Sequence, residues 1–302
     1  MIPNKLKGVL FVLAGAMSYG VLATFVKLGG EEGFSTAELT FAQTFLGFLF
    51  LFVAYICLRL KGNTSSVHIP TKKNKLRLVA GGIPMGLSSV FYYLSLGYVE
   101  VSVGIVLLMQ SVWMGTVVDM VINKRKPTAS QFVAIVVVLV GTVLATSLQK
   151  TDVHLDVRGV FWGLLAALAY TFSMFTSNRI AIHNSTLSRS LYILMGALIT
   201  VTLVWGYSLT QQFDVSVFWK WGLLLAIFGA VLPPLLFAKG MPLAGLGLGS
   251  ILAAVELPVS VMMAHIFLHE QTDGLQWLGI VLILLAITLM NLSLFKRKRV
   301  LG

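Results

Sequence analysis

The sequence predicts an all-α polytopic membrane protein, with ten transmembrane helices arranged as two inverted five-helix repeats. Three observations carry that reading. The 302 residues are 57% hydrophobic and 11% charged, with a mean hydropathy of +0.91, whereas a soluble domain is about 25% charged. Ten apolar stretches run through the chain, each near the ~20 residues that cross ~30 Å of hydrocarbon as a helix. The charges between them are sorted onto alternate sides. Of the 22 Lys and Arg, all but Lys27, Lys150, Arg158 and Lys220 lie at the termini or in the even-numbered gaps, flanking helix ends included. The odd-numbered gaps hold Glu31, Glu32, Glu38, Glu100, Asp152, Asp156, Asp214, Glu270 and Asp273, nine of the eleven acids. Cytoplasmic loops of membrane proteins retain Lys and Arg, so the sorting places both termini in the cytoplasm of a multi-pass inner-membrane protein.

Backbone groups cannot stay unpaired in lipid, which leaves helices or closed barrels. Barrel strands would alternate apolar and polar residues. Runs such as Phe132 to Ala145 do not alternate, so the spans are helices.

The first span, 6–28, follows Lys5 and Lys7. Its Ala14-Gly15-Ala16 imitates a signal peptide, but the apolar run continues to Leu28 and nine further spans follow. The second, 36–58, carries Gln43 with Thr40 and Thr44, and the longest loop, Arg59 to Lys75, is basic and polar. The third, 76–97, holds Pro84, Tyr92 and Tyr93; the fourth, 101–122, holds Gln110, Ser111, Trp113 and Asp119. The fifth, 129–148, is almost wholly apolar. The sixth, 158–178, contains Tyr170, the seventh covers 188–209, and the eighth, 216–238, is closed by Lys239. The ninth, 244–268, contains Glu256 and Pro258, and the tenth, 274–295, is apolar.

The halves, 1–150 and 151–302, repeat weakly and together form one transport domain. Lys7-Gly8-Val9 opens one and Arg158-Gly159-Val160 the other, with Tyr19 and Tyr170 at matching positions after each Gly. Gln131 leads into span five as Gln276 leads into span ten, and Ser111 aligns with Glu256. Five spans per half is odd, so one half is upside down relative to the other. Inverted repeats are a signature of secondary transporters, whose substrate site lies at the midplane between the halves.

Several chemistries are excluded. The net charge of +11 reads as loop charge meeting anionic headgroups, because no nucleic-acid-binding motif accompanies it. There is no phosphate-binding G-x-x-x-x-G-K-[ST] loop. Cys57 stands alone, and His265 with His269 supplies only half of a metal site at helical spacing. No enzyme activity, cofactor or metal is expected. A membrane enzyme or sensor would need a catalytic constellation or an effector domain, and the sequence has neither.

These residues bring in a family. Leu257-Pro258, Phe267-Leu268-His269-Glu270, Gln276, Gly279 and an apolar tenth span, with the small-residue helices ending in Tyr19 and Tyr170, resemble the EamA-like branch of the drug/metabolite transporter superfamily. The first half departs from the pattern, since Trp113 stands where the ninth-span Pro would align and Lys124-Arg125-Lys126 replaces the short acidic turn. The resemblance implies outward export of amino acids or related amphipathic solutes, with spans five and ten as peripheral supports. Multidrug export and passive facilitation are the alternatives within transport.

Glu256 is the leading candidate. A carboxylate at the bilayer centre costs about 2.5–3.5 kcal/mol on insertion scales, so it faces a substrate ammonium group, takes a proton, or is a protonated acid bonded to a neighbouring helix. Gln110 and Ser111 give the equivalent depth of the other half polar character. Trp113 shares a face with Gln110 and either stacks on substrate or packs in the core. Tyr19, Tyr92, Tyr170 and Gln43 complete the expected substrate-binding set. Asp119, beside a basic loop, is a gate charge or a local ion pair, and Pro258 is a gating kink. Expected partners are a small-molecule substrate, the lipid bilayer and, where Glu256 is a proton site, protons; nucleic acid is not expected. The chain is expected to be a monomer or weak dimer, with Gly141 and Gly279 serving close helix approach or a dimer contact.

Overall fold

The computed structural model describes residues 4–60, 70–122, 124, 129–145, 156–181, 184–244 and 252–300, and every regular element among them is helical. In chain order these are α1 (Asn4–Glu31), α2 (Thr36–Leu60), α3 (Lys72–Leu96), α4 (Val101–Leu108), α5 (Ser111–Ile122), α6 (Ala129–Ala145), α7 (Val157–Arg179) and α8 (Thr186–Gln211). There follow α9 (218–244), α10 (Glu256–Leu268) and α11 (Gly274–Val300). Six helices are long and apolar enough to cross a membrane alone: α1, α2, α3, α7, α8 and the first part of α9. The apolar remainder, Val101–Gly115, Phe132–Ala145, Glu256–Leu268 and Gly274–Thr288, forms shorter helices. Spans four and nine therefore differ from the continuous helices the sequence suggests. Span four is two helices, α4 and α5, and α10 starts only at Glu256, midway along its expected span. The junction expected between the halves, at residue 150, lies outside the described residues.

Local chemistry sets the helix ends. Ser35 and Glu38 form a reciprocal capping box at the start of α2, and Asp273 and Gln276 form another before α11. Asp156 caps α7 through the Arg158 N–H at 2.8 Å. His269 ends α10 in the left-handed conformation (φ 54°). In α9 the turn Ala226–Val231 is π-helical. Continuing its i−5 pattern, Pro233 has no N–H to offer the Phe228 carbonyl, which accepts the Ser18 hydroxyl at 3.0 Å.

The helix ends form two levels. At one, the acidic end, Lys27 on α1 donates to the Leu96 and Val99 carbonyls at 2.8 and 3.3 Å, capping α3. There too Trp221 donates to Glu32 at 2.9 Å, Glu38 accepts the Asp214 N–H at 2.7 Å, and Arg158 lies 4.7 Å from the Tyr98 ring centroid. At the other, the basic end, Lys75 lies over Tyr192, and Thr176 donates to the Gly81 carbonyl at 3.2 Å. Successive helices thus alternate in direction, and three of the four basic residues that escape the charge sorting have local partners. Lys27 and Arg158 are engaged as above, and Lys220 sits 5.5 Å over the Phe34 ring. Lys150 lies outside the described residues.

Helix pairing repeats when the halves are exchanged. α1 packs on α9 and α10, as α7 packs on α3 and on α4 with α5; α3 packs on α8 as α9 packs on α2. Two pairs, α2 with α8 and α6 with α11, map onto themselves. The α3–α8 crossing needs glycine, since a Cβ on Gly196 would lie 1.9 Å from the Val79 carbonyl oxygen. Gly141 and Gly279 face each other, where a Cβ on Gly279 would lie 2.5 Å from the Gly141 oxygen. Of their two expected roles, close approach of α6 and α11 is the one realised. The outward face of α6, with Phe132 62% and Val133 54% exposed, is apolar and suited to lipid.

Candidate functional site

The breaks in spans four and nine have the same backbone design. In span four the Gln110 N–H bonds the Leu107 carbonyl, Val112 bonds Met109, and Met114 bonds Gln110, at 3.1 Å each. The counterparts in span nine are Val255 to Leu252, Leu257 to Ala254 and Val259 to Val255, at 3.2, 3.1 and 3.3 Å. Each break is thus a tight turn, after which a helix starts at Ser111 in one half and Glu256 in the other. Span four, where both half-helices are described, has the broken-helix architecture in which transporters build substrate sites.

The causes of the two turns differ. In span nine Pro258 has no N–H to offer Ala254, whose carbonyl takes the Leu257 N–H instead. That is the structural work of Pro258. In span four the Gln110 N–H turns to Leu107, and the Gln110 side-chain amide fills the freed Val106 carbonyl at 3.0 Å. The same amide donates to Thr142 on α6 at 2.6 Å, and its oxygen accepts the Trp113 indole N–H at 2.9 Å. The Trp113 ring packs with Ala134, Val138 and Ala286 of α6 and α11. Gln110 and Trp113 thus make their side-chain hydrogen bonds and ring contacts toward α6 and α11.

The partner helices also correspond. Thr171 on α7 donates to the Ser111 carbonyl at 3.2 Å, so that break is sealed by a hydrogen bond. At the equivalent point α1 carries Gly20, where a Cβ would lie 2.9 Å from the Glu256 carbonyl oxygen and 2.8 Å from Val259. Glycine brings the α1 backbone against the second break without sealing it.

Glu256 is buried (7% exposed), and among the described residues no hydrogen-bond donor reaches its carboxylate. Tyr19 from α1, Tyr92 from α3 and Tyr170 from α7 are each close enough to interact electrostatically with it. Leu22, Ile105, Ala166, Leu257 and Val261 surround them in one apolar cluster that includes Tyr92. The structure thus brings together Glu256, Tyr19, Tyr92 and Tyr170. Gln43 stands one layer away on α2, accepting the Tyr93 hydroxyl and facing Gly229. Ser111 is buried on the other break. The Asp119 side chain lies outside what the structure describes.

Sequence reasoning missed the role of Glu270. Counted there as a loop acid, it turns back from the end of α10 and caps α4, accepting the Val101 N–H at 2.6 Å, the Ser102 N–H at 3.0 Å and the Ser102 hydroxyl. His265 Nδ1 lies 2.8 Å from the Glu270 carbonyl oxygen. The acidic-end half-helices of spans four and nine are thereby fastened to each other. The reversal is made at His269, whose left-handed backbone turns the chain after α10, and nothing in the sequence signals it. Two surface carboxyls at this end are held below the usual carboxylate range, Asp156 by side-chain hydrogen bonds from Arg158 and Asp214 by the Ser216 backbone N–H.

Comparison with known proteins agrees with this geometry. The model of the EamA-like transporter family matches residues 6–147 and again 157–292. A crystal structure described only as that of a protein superposes with a TM-score of 0.68 over 96% of this chain and 98% of its own, at 14% identity, a likeness of fold alone. No curated protein matches the sequence.

Proposed function

The chain belongs to the EamA-like transporter family, and we propose that this membrane transporter of small solutes is a secondary exporter working by alternating access around Glu256. The observation that carries this is a buried acid with no hydrogen-bond donor among the described residues, placed where α10 begins, with three tyrosines near enough to act on it electrostatically. An unpaired acid at this depth is costly, and a substrate ammonium group or a proton relieves the cost. Aromatic faces beside it suit an amphipathic amine, through cation–π contact. An amino acid or related solute fits that chemistry. By the positive-inside rule the acidic end faces outward and both termini lie in the cytoplasm of the inner membrane. The two halves, 1–150 and 151–302, act as one transport domain, the bilayer is its solvent, and the chain works as a monomer or weak dimer.

The test is in two stages. Thermal-shift screening of the purified protein against amino acids, nucleosides, sugars and cationic drugs identifies a binder, because a ligand of the native state stabilises it by mass action. Counterflow of that binder in proteoliposomes is then compared with Glu256→Gln. Losing one charge-assisted contact of roughly 1.5–3 kcal/mol should reduce flux about 10- to 100-fold. Unchanged flux with unchanged pH dependence removes Glu256 from the mechanism, and flux indifferent to every ion gradient makes the protein a facilitator.

A further inference from the structure

Three buried hydroxyls between Glu256 and the acidic end have no bond in the fold. Tyr92 Oη, Ser260 Oγ and Thr24 Oγ1 are buried without a hydrogen-bond partner among the described residues. Ser260 stands one turn beyond Glu256 on α10, about 6 Å nearer the acidic end and on the same face. Thr24 stands one turn beyond Gly20, where α1 meets the Glu256 carbonyl, and α1 and α10 run in the same direction. Tyr92, near the acidic-end terminus of α3, interacts electrostatically with both Glu256 and Glu270. Beyond it the Ser102 hydroxyl donates to Glu270, which is 8% exposed.

An unpaired buried hydroxyl is destabilising, and Val, Ala or Phe would fill the same space without that cost. Tyr92 belongs to the apolar cluster of Leu22, Val26, Ile105 and Val261, and Thr24 and Ser260 lie on α1 and α10, which pack against each other. Two hollows lie away from this seam. One of about 430 Å³ is at the basic end beside Arg77 and Thr176, and another is at the acidic end beside Glu32, Lys220 and Trp221. Neither reaches Glu256. An organic solute needs a hollow to reach the acid, whereas a proton needs only a chain of hydroxyls and single waters.

We propose that Tyr92, Thr24 and Ser260 form a proton path between Glu256 and the acidic end. The proposal rests on the reading of Glu256 as the transport-site acid. Each hydroxyl accepts a proton on its lone pair and releases its own to the next oxygen, with bridging waters spanning the intervals. One O–H bond breaks in a hydronium ion at the acidic end, one forms on the Glu256 carboxylate, and nothing is oxidised or reduced. Glu256 interacts with Tyr19 of α1, Tyr92 of α3 and Tyr170 of α7, and no Lys, Arg or His among the described residues is paired with it. At the far end Glu270 faces the α4 N–H groups, Tyr92 and His265, while Lys27 is held by the Leu96 and Val99 carbonyls.

Infrared spectroscopy after an acid jump tests the path without a substrate. In the full-length protein in lipid nanodiscs, a protonated-carboxyl band should rise that is missing in Glu256→Gln. Ser260→Ala and Thr24→Val should each slow its rise about tenfold or more while leaving the midpoint pH where it was, and Tyr92→Phe should do the same. Equal rates in all three variants overturn the path but leave the transport-site reading standing. A wild-type protein with no Glu256 band at any pH overturns both.

Discussion

Span four and span nine have the same broken backbone, yet one break is saturated with hydrogen bonds and the other is left open. In span four the side chains around the turn are hydrogen-bonded. Gln110 fills the freed Val106 carbonyl and holds Thr142 and Trp113, and Thr171 seals the Ser111 carbonyl. In span nine proline imposes the turn, glycine replaces the sealing threonine, and the residue matching Ser111 is an acid that no described donor reaches. The first break behaves as structure. The second accepts the cost of unpaired polar groups, as functional sites do when activity and stability compete. Duplicated halves thus share a backbone and divide their roles through a few side chains.

The strongest way to break this contrast is to compare melting temperatures of two variants. Gln110→Ala strands the Trp113 N–H and removes a partner of Thr142, and should destabilise the protein by about 1–3 kcal/mol while folded molecules keep their transport. Glu256→Gln should leave the melting temperature unchanged or raise it while transport falls. A destabilised Glu256→Gln with an indifferent Gln110→Ala would reverse the assignment of roles.

A smaller effect sharpens the same comparison on the partner helices. Thr171→Val removes the seal on the first break and should cost about 0.5–1.5 kcal/mol in thermal or denaturant unfolding. Gly20→Ala forces a methyl against Glu256 and Val259, and overpacking of this kind costs about 1–3 kcal/mol. It should also slow transport, because α1 could no longer lie against the second break; normal flux in Gly20→Ala would show that this approach is not needed.

The smallest effect is at the partly exposed Asp156, where neither break is involved. Hydrogen bonds from Arg158 hold its carboxyl below the usual range, so its contribution is present above the ordinary Asp value and is lost as pH falls through the lowered one. Asp156→Asn should lower the melting temperature slightly at neutral pH, with the difference vanishing in acid. A difference that persisted in strong acid would assign the effect to the cap geometry instead of the charge.

Hydropathy and charge sorting by themselves determined the class, the ten spans and the alternation of ends, because lipid requires long apolar helices and loop charge sets their direction. They also singled out Glu256, since a mid-span carboxylate is conspicuous in an apolar run, together with Pro258 as a local break. Tertiary structure decided the rest. Gln110 and Trp113 look as central as Glu256 in sequence, and only the position of α6 and α11 shows which groups they bond and pack against. Glu270 and Lys27 look like loop charges until the chain reversal at His269 and the approach of α1 to α3 turn them into helix caps. Ser260 and Thr24 are unremarked hydroxyls until the helices stack them between two acids. Hydropathy depends on what each residue is, whereas these roles depend on which distant residue lies across the interface, and no local pattern encodes that.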